Sequence, residues 1–202
     1  MTIQRFIANN GYGTNMYLVW DEESRKAFFV DPGAPSDAAA NCIKDNGLEL
    51  EYILLTHGHG DHTSGLKYFQ PLFPDAKLVA GRHERRCLYE RKTGFAGGIK
   101  ADIEVKDGDS LDVGSMHLEF IECPGHTPGG ISILCGGVLF AGDTLFRNSV
   151  GRTDLPGGDW DALISTLKDK LFKLPDDTVV LPGHMEQTTI GWEKRYNPFC
   201  LG

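Results

Sequence analysis

The chain is expected to fold as an α/β protein, a four-layer αββα sandwich in which two sheets pack face to face and carry helices on their outer sides. Three observations predict this. Apolar residues switch between a period of 2 and a period of 3.6 along the chain. Strands, helix, strand, helix, strand, helix are followed by strands, helix, strand, helix, as two similar halves would be. Twenty-five glycines in 202 residues exceed the usual share and mark many tight loops. This length can bury a sizeable core, and without an internal repeat, low-complexity tract or linker, residues 1–202 read as a single domain.

Thr2 to Ala8, Met16 to Trp20 and Ala27 to Asp31 read as strands separated by the turn stretches NNGYG and DEESRK, a meander pattern. Pro32-Gly33 ends it. Pro35 to Asn46 then reads as a helix, with Ser36 placed to cap it and Gly47 just beyond. Tyr52 to Leu55 is a strand, Thr63 to Phe69 a short helix stopped by Pro71, Lys77 to Ala80 a strand and His83 to Arg91 a helix. From Ile103 to Phe140 β patterns return, turned by DGD, by Asp112 to Ser115 and by the compact hairpin signal Cys135-Gly136-Gly137. Asp159 to Lys170 is amphipathic and helical, Thr178 to Leu181 a strand and Gln187 to Tyr196 a final helix.

Bulk properties narrow the partners. A formal charge of −8 gives a weak field for phosphate backbones, which argues against nucleic acid. Five cysteines, odd in number and never spaced as CxxC, suggest reduced thiols. The opening MTIQRFIANNGYGTNMYLVW lacks a basic start followed by an apolar run, and no segment approaches eighteen consecutive apolar residues. The expectation is a cytoplasmic protein without a membrane anchor; its oligomeric state stays open.

Chemistry concentrates in LLTHGHGDH, residues 54–62, which holds three of the chain's seven histidines and an aspartate directly after an apolar strand. On an extended segment, His57 and His59 at i and i+2 project to the same side and can share one divalent ion. Asp61 and His62 follow at the turn into a helix and point where a second ion can sit. His126 in CPGHTPGG, Asp143 in LFAGDTLF and His184 in VVLPGHMEQ each lie where a predicted strand ends in a glycine-rich turn, and strand ends at one edge of a sandwich can converge. The inventory suits two divalent metal ions: His57, His59 and His126 around the first, Asp61, His62 and His184 around the second, and Asp143 bridging them. Nitrogen and oxygen ligands without thiolate favour zinc, with iron or manganese as alternatives, in an open catalytic arrangement. His83 and His117 lie outside such turns and read as structural or surface residues, and Cys123 as a buried inert thiol.

THGHGDH, GHTPG, GDTLF and PGH, in that order, resemble the metallo-β-lactamase superfamily across about residues 10 to 190. The resemblance implies that family's sandwich of two mixed sheets with helices outside, a binuclear site at the sheet edge, and the same seven ligands. GDTLFRNSVGRTDLPGGD and TTIGWEKRYNPF are similar to the small single-domain hydroxyacylglutathione hydrolases, compact relatives of glyoxalase II. Two-domain glyoxalase II holds glutathione partly with a C-terminal helical domain, whereas only residues 185–202 follow His184 here. Lys194, Arg195 and Tyr196 in that tail, with Arg147 and Arg152 after Asp143, are candidate substrate contacts; for Arg152 an ion pair with Asp154 is the simpler reading.

The expected activity is hydrolysis of a small-molecule thioester such as S-lactoylglutathione by a metal-bridging hydroxide, with Asp61 orienting the hydroxide or carrying its proton. A thiolate, its thiol pKa near 8.5, departs without a strong acid. Three alternatives remain. Lactone or ester hydrolysis keeps all seven ligands. Persulfide dioxygenation on this scaffold uses one iron, here at His57, His126 and Asp143, and shares the GRTD stretch. A metal-binding module without activity is the third.

Overall fold

The computed structural model describes residues 1–90, 94–95 and 97–200. Its first sheet has six strands, β1 (Thr2–Ile7), β2 (Asn15–Trp20), β3 (Lys26–Val30), β4 (Glu49–Leu55), β5 (Lys77–Gly81) and β6 (Ile103–Val105), adjacent in that order. The first three form an antiparallel meander; β3 to β6 are parallel, with helices in the crossovers. Those helices are α1 (Asp37–Asp45), α2 (Gly60–Thr63), α3 (Leu66–Leu72) and α4 (Arg85–Tyr89), the last preceded by a 3-10 turn, Arg82–Glu84.

The second sheet repeats the plan. It contains β7 (Ser110–Val113), β8 (Met116–Glu122), β9 (Ile131–Cys135), β10 (Val138–Gly142), β13 (Val179–Pro182) and β14 (Thr188–Thr189), in the order β14-β13-β10-β9-β8-β7. A small hairpin of β11 (Leu145–Phe146) and β12 (Ser149–Val150) follows β10. Helices α5 (Trp160–Asp169) and α6 (Ile190–Tyr196) complete this half. Two mixed sheets with helices outside are the architecture expected. Among the described residues, no helix is long and apolar enough to cross a membrane.

Three apolar layers hold the sandwich together. Between the sheets, Tyr17, Phe28 and Leu54 meet Phe120, Ile133 and Phe140. Phe28 and Phe140 pack edge to face at 5.8 Å, and pairs of this kind add about 0.5–1.5 kcal/mol beyond area burial. Tyr17 crosses the same gap and donates its hydroxyl to the Pro182 carbonyl at 2.8 Å, so its buried polar end is satisfied. Ala39, Ala40 and Ile43 of α1 cover the first sheet's outer face, and Leu163 and Leu167 of α5 cover the second. Capping fixes where these helices start: Ser36 accepts from the Ala39 N–H and Asp159 from the Ala162 N–H.

The differences from the sequence expectation are local. Pro71 lies inside α3, which runs from Leu66 to Leu72; so near the end, its missing N–H removes a single helical bond. Residues 82–89 form a 3-10 turn and a short helix, and the expected end at Arg91 lies outside the described residues. The final helix starts at Ile190 because Thr188 and Thr189 pair with β13 and Thr189 caps α6. Asp112 and Val113 belong to β7, which narrows the expected turn to Gly114-Ser115.

Candidate metal centre

Parallel pairing delivers the polar residues to one edge. Val30 of β3 stands opposite Leu54 of β4, so Asp31 and the Thr56-His57 pair emerge side by side. Gly142 of β10 stands opposite Pro182 of β13, so Asp143 and His184 leave the second sheet together. Only glycine fits at 183, since a Cβ there would lie 2.3 Å from Asp143 Oδ1. His126 sits in the loop from β8 to β9, closed at its base by a 2.7 Å bond from the Cys123 N–H to the Gly130 carbonyl.

The rings of His57, His59 and His126 stand 4.7 to 4.8 Å apart, centre to centre. One nitrogen from each lies within 4.8 Å of the others, and the donor atoms of Asp61, His62 and His184 converge to the same degree. Asp143 lies between the two groups. Its Oδ1 is 3.3 Å from His62 Nε2, and its Oδ2 is 3.6 Å from His126 Nε2 and 3.5 Å from His184 Nε2. The seven residues singled out by spacing are therefore brought together.

Neighbouring groups aim the imidazoles. His62 Nδ1 contacts Asp31 Oδ2 at 2.8 Å, His126 Nδ1–H donates to the Arg152 carbonyl at 2.7 Å, and His57 Nδ1 lies 3.1 Å from Thr56 Oγ1. With Nδ1 engaged, each of these rings turns Nε2 to the centre, where that of His126 lies 2.9 Å from His59 Nδ1. Asp31 is held in turn by the Thr56 N–H at 2.8 Å and the Thr56 hydroxyl at 2.6 Å. Asp31 also lies close enough to His57 and His62 to share an ion with them, but these three hydrogen bonds commit it to orientation.

Buried polar groups normally find partners, and at this edge some do not. His57 Nε2, His59 Nε2 and Asp143 Oδ1 are buried without any hydrogen bond among the described residues. Leaving several such atoms unpaired in one cluster is costly, and divalent cations supply the missing partners. The donor set, imidazole and carboxylate without thiolate, fits zinc, iron or manganese.

Charge is unevenly shared when no ion is bound. Burial, reinforced by His62, pushes His57 well below the ordinary imidazole range; burial with His126 brings His59 down to about 4. Burial also opposes charge on His62 and His184, but carboxylates outweigh it. Asp143 and Asp31 lift His62 well above its ordinary value, and hydrogen bonds to Asp143 and Asp61 lift His184 to about 9. Burial would raise Asp143, but the His62 charge and the His184 hydrogen bond hold it well below the carboxylate range. A bound dication takes the place of those protons, so loading should release them.

The centre floors a cleft of about 740 Å³ whose walls include Tyr12, Phe146, Val150, Leu155 and Met185. Asp61 faces this cleft. Asn10 Nδ2 donates to its backbone carbonyl at 2.9 Å and the Thr14 hydroxyl to its Oδ2 at 3.2 Å.

The candidate substrate contacts are dispersed. Arg152 lines the cleft, and its guanidinium grips Asp154 through two bonds of 2.7 and 2.6 Å. Arg147 is exposed after β11, Lys194 and Arg195 both pair with Asp176, and Tyr196 packs on Trp192 at 4.6 Å. His83 and His117 are exposed surface residues. Cys123 is fully buried, its thiol near Ser132 Oγ and pushed up by burial to about 11, as expected of an inert sulfur.

Sequence reading misses the supporting residues. Asp31 carries a readable signal, a carboxylate at the end of an apolar strand in VDPG. Asn10 reads only as part of the NNGYG turn, Thr14 carries no signal beside it, and a backbone acceptor such as the Arg152 carbonyl leaves no trace in residue identity.

The chain is 36% identical over 196 residues to hydroxyacylglutathione hydrolase GloC of Haemophilus influenzae, covering 92% of each chain. It is 34% identical over 194 residues to the mitochondrial persulfide dioxygenase ETHE1 of Homo sapiens, covering 92% of this chain and 70% of that one. Among solved structures, the BLEG-1 B3 metallo-beta-lactamase superposes with a TM-score of 0.90 at 32% identity, covering all of both chains. The family model of the metallo-beta-lactamase superfamily matches residues 9–184, a span that contains all seven converging side chains. The chain belongs to the metallo-beta-lactamase superfamily.

Proposed function

We propose that this chain is a metal-dependent thioester hydrolase, with S-lactoylglutathione as the type of substrate. The observation that carries the reading is the convergence of two three-residue groups on either side of Asp143 at the floor of one cleft. Similarity to a hydroxyacylglutathione hydrolase along nearly the whole chain supports the thioester. When bound, a pair of divalent ions supplies hydroxide from water near neutral pH and polarises a carbonyl oxygen.

His57, His59 and His126 would hold one ion, Asp61, His62 and His184 the other, and Asp143 both. Asp31, Thr56 and the Arg152 carbonyl keep the ring nitrogens aimed before any ion arrives, which removes a reorganisation cost. Asp61 is anchored by Asn10 and Thr14 while its carboxylate faces the cleft, placing an acceptor where a nucleophile must be oriented and give up its proton. Tyr12, Phe146, Leu155 and Met185 give the acyl and thiol parts of the substrate an apolar wall. No acid is needed for departure, because a thiol of pKa about 8.5 leaves as thiolate.

A second reading, persulfide dioxygenation, is favoured by the 34% identity to human ETHE1 and by the Gly151-Arg152-Thr153-Asp154 stretch. It needs one iron at His57, His126 and Asp143, and leaves the convergence of Asp61, His62 and His184 without a purpose. Metal-resolved turnover on S-lactoylglutathione, a second thioester, a lactone and glutathione persulfide, with an oxygen electrode, separates the readings. Two ions per chain and thioester cleavage without oxygen uptake support the hydrolase; one iron with persulfide-dependent uptake defeats it.

A further inference from the structure

Glu84 ends the 3-10 turn after β5, and nothing in the proposed chemistry uses it. It is fully buried. Its two carboxylate oxygens meet backbone amides from different halves of the molecule. Oε1 accepts from the Gly58 N–H at 2.9 Å, and Oε2 from the Gly129 N–H at 3.0 Å. Gly58 lies between His57 and His59, on the loop that leaves the first sheet; Gly129 lies three residues beyond His126, on the loop from β8 to β9 in the second. One side chain thus spans the two loops that carry all three imidazoles of the first group.

The residue type follows from the partners. Both are donors, and a carboxylate is the side chain that offers only acceptors; an amide of the same shape would turn its NH₂ onto one of the two N–H groups. The fit is close enough that a Cβ at Gly129 would lie 1.9 Å from the Glu84 nitrogen, so the loop can approach only with glycine there. A backbone bond from the Ile131 N–H to the Thr56 carbonyl at 2.8 Å joins the same two segments on the strand side, leaving the Glu84 side of the gap to its carboxylate.

We infer that Glu84 is a positioning residue for the first metal group, fixing the reach of His126 from His57 and His59 by tying Gly58 to Gly129. The inference rests on the metal-centre reading of these histidines and is independent of the substrate. Groups that orient ligands change metal affinity about 10- to 100-fold when removed, which sets the size of the expected effect.

The test uses wild-type protein, Glu84→Gln and Glu84→Asp, stripped of metal and titrated with zinc against a chromophoric chelator, with cobalt absorption as a report on geometry. In Glu84→Gln, one of the two sites should weaken by about 10- to 100-fold with shifted cobalt bands, while the other keeps its wild-type affinity. Glu84→Asp, which retains both acceptors on a shorter stem, should fall between. A folded Glu84→Gln protein with unchanged affinities and an unchanged cobalt spectrum overturns the inference, as does equal weakening at both sites. Should that variant not fold, amide exchange in the wild type decides: strong protection at both Gly58 and Gly129 supports the tie, and free exchange at either overturns it. Because the readout is metal affinity, an absence of thioester turnover would defeat the proposed activity and leave this inference standing.

Discussion

The two ends of the sandwich handle buried carboxylates in opposite ways. At the end remote from the cleft, Asp21 follows β2 and reaches across to the β7–β8 turn. It accepts the Ser115 N–H at 2.9 Å, the Ser24 hydroxyl at 2.8 Å and the Glu23 N–H at 3.2 Å. The Ser115 amide, helped by Ser24, holds its carboxyl down to about 2. All these bonds come from the protein itself. At the cleft end, Asp143 touches three imidazoles, yet its Oδ1, like Nε2 of His57 and His59, has no hydrogen bond among the described residues. Burial of charge therefore does not mark function in this molecule. Clustered incomplete satisfaction marks it: Glu122 Oε1 also lacks a hydrogen bond among the described residues but stands apart, whereas His57, His59 and Asp143 leave theirs open together.

Asp143→Ala is the largest expected break in that contrast. It removes the carboxylate that lies between the two groups, so metal content should fall and thioester turnover should drop about a thousandfold, the equivalent of several kcal/mol at 1.36 per decade. Metal analysis paired with steady-state rates checks it, and full loading with full turnover would erase the difference between the ends. Next comes Asp31→Asn. Its amide must face one of three donors with an NH₂, so metal affinity should weaken about 10- to 100-fold in chelator competition; unchanged affinity contradicts an orienting role.

At the satisfied end, Asp21→Asn should lower stability without changing metal content. The sign of its pH dependence is fixed by a folded pKa of about 2 against an ordinary 3.8. The carboxylate's contribution is complete above the ordinary value and fades as pH falls through the folded one. Denaturation curves of wild type and variant should thus differ at neutral pH and converge as the solution is acidified; a constant gap contradicts the account. The smallest effect is expected for Arg152→Ala. His126 bonds the residue's carbonyl, and the exposed guanidinium only pairs with Asp154, so metal content and melting temperature should hold. A raised KM in that variant would sharpen the picture by assigning the side chain to substrate.

What the sequence makes legible follows from range. The seven converging residues stand out because all but His62 sit beside glycine where an apolar run ends, a local signature of a strand edge, and His62 follows directly on Asp61. The two-sheet plan is legible because long apolar segments keep their periods. The two-residue strands β11, β12 and β14 are too short for any period, and their pairing is decided by neighbours distant in sequence. Glu84 in GRHERR reads as one more charge on a helix face, since both its partners, Gly58 and Gly129, lie on other loops. Asp21 reads as part of a polar turn for the same reason, and only the fold reveals Ser115 beside it.

Seven side chains arranged in this way should enclose a pair of cations at the cleft floor. Anomalous diffraction from zinc-soaked crystals, recorded on both sides of the zinc edge, tests it most directly. The account predicts two peaks per chain, one among His57, His59 and His126 and one among Asp61, His62 and His184, with Asp143 between them. A cleft floor with no peak at saturating zinc, or imidazoles turned away from one another, would contradict it.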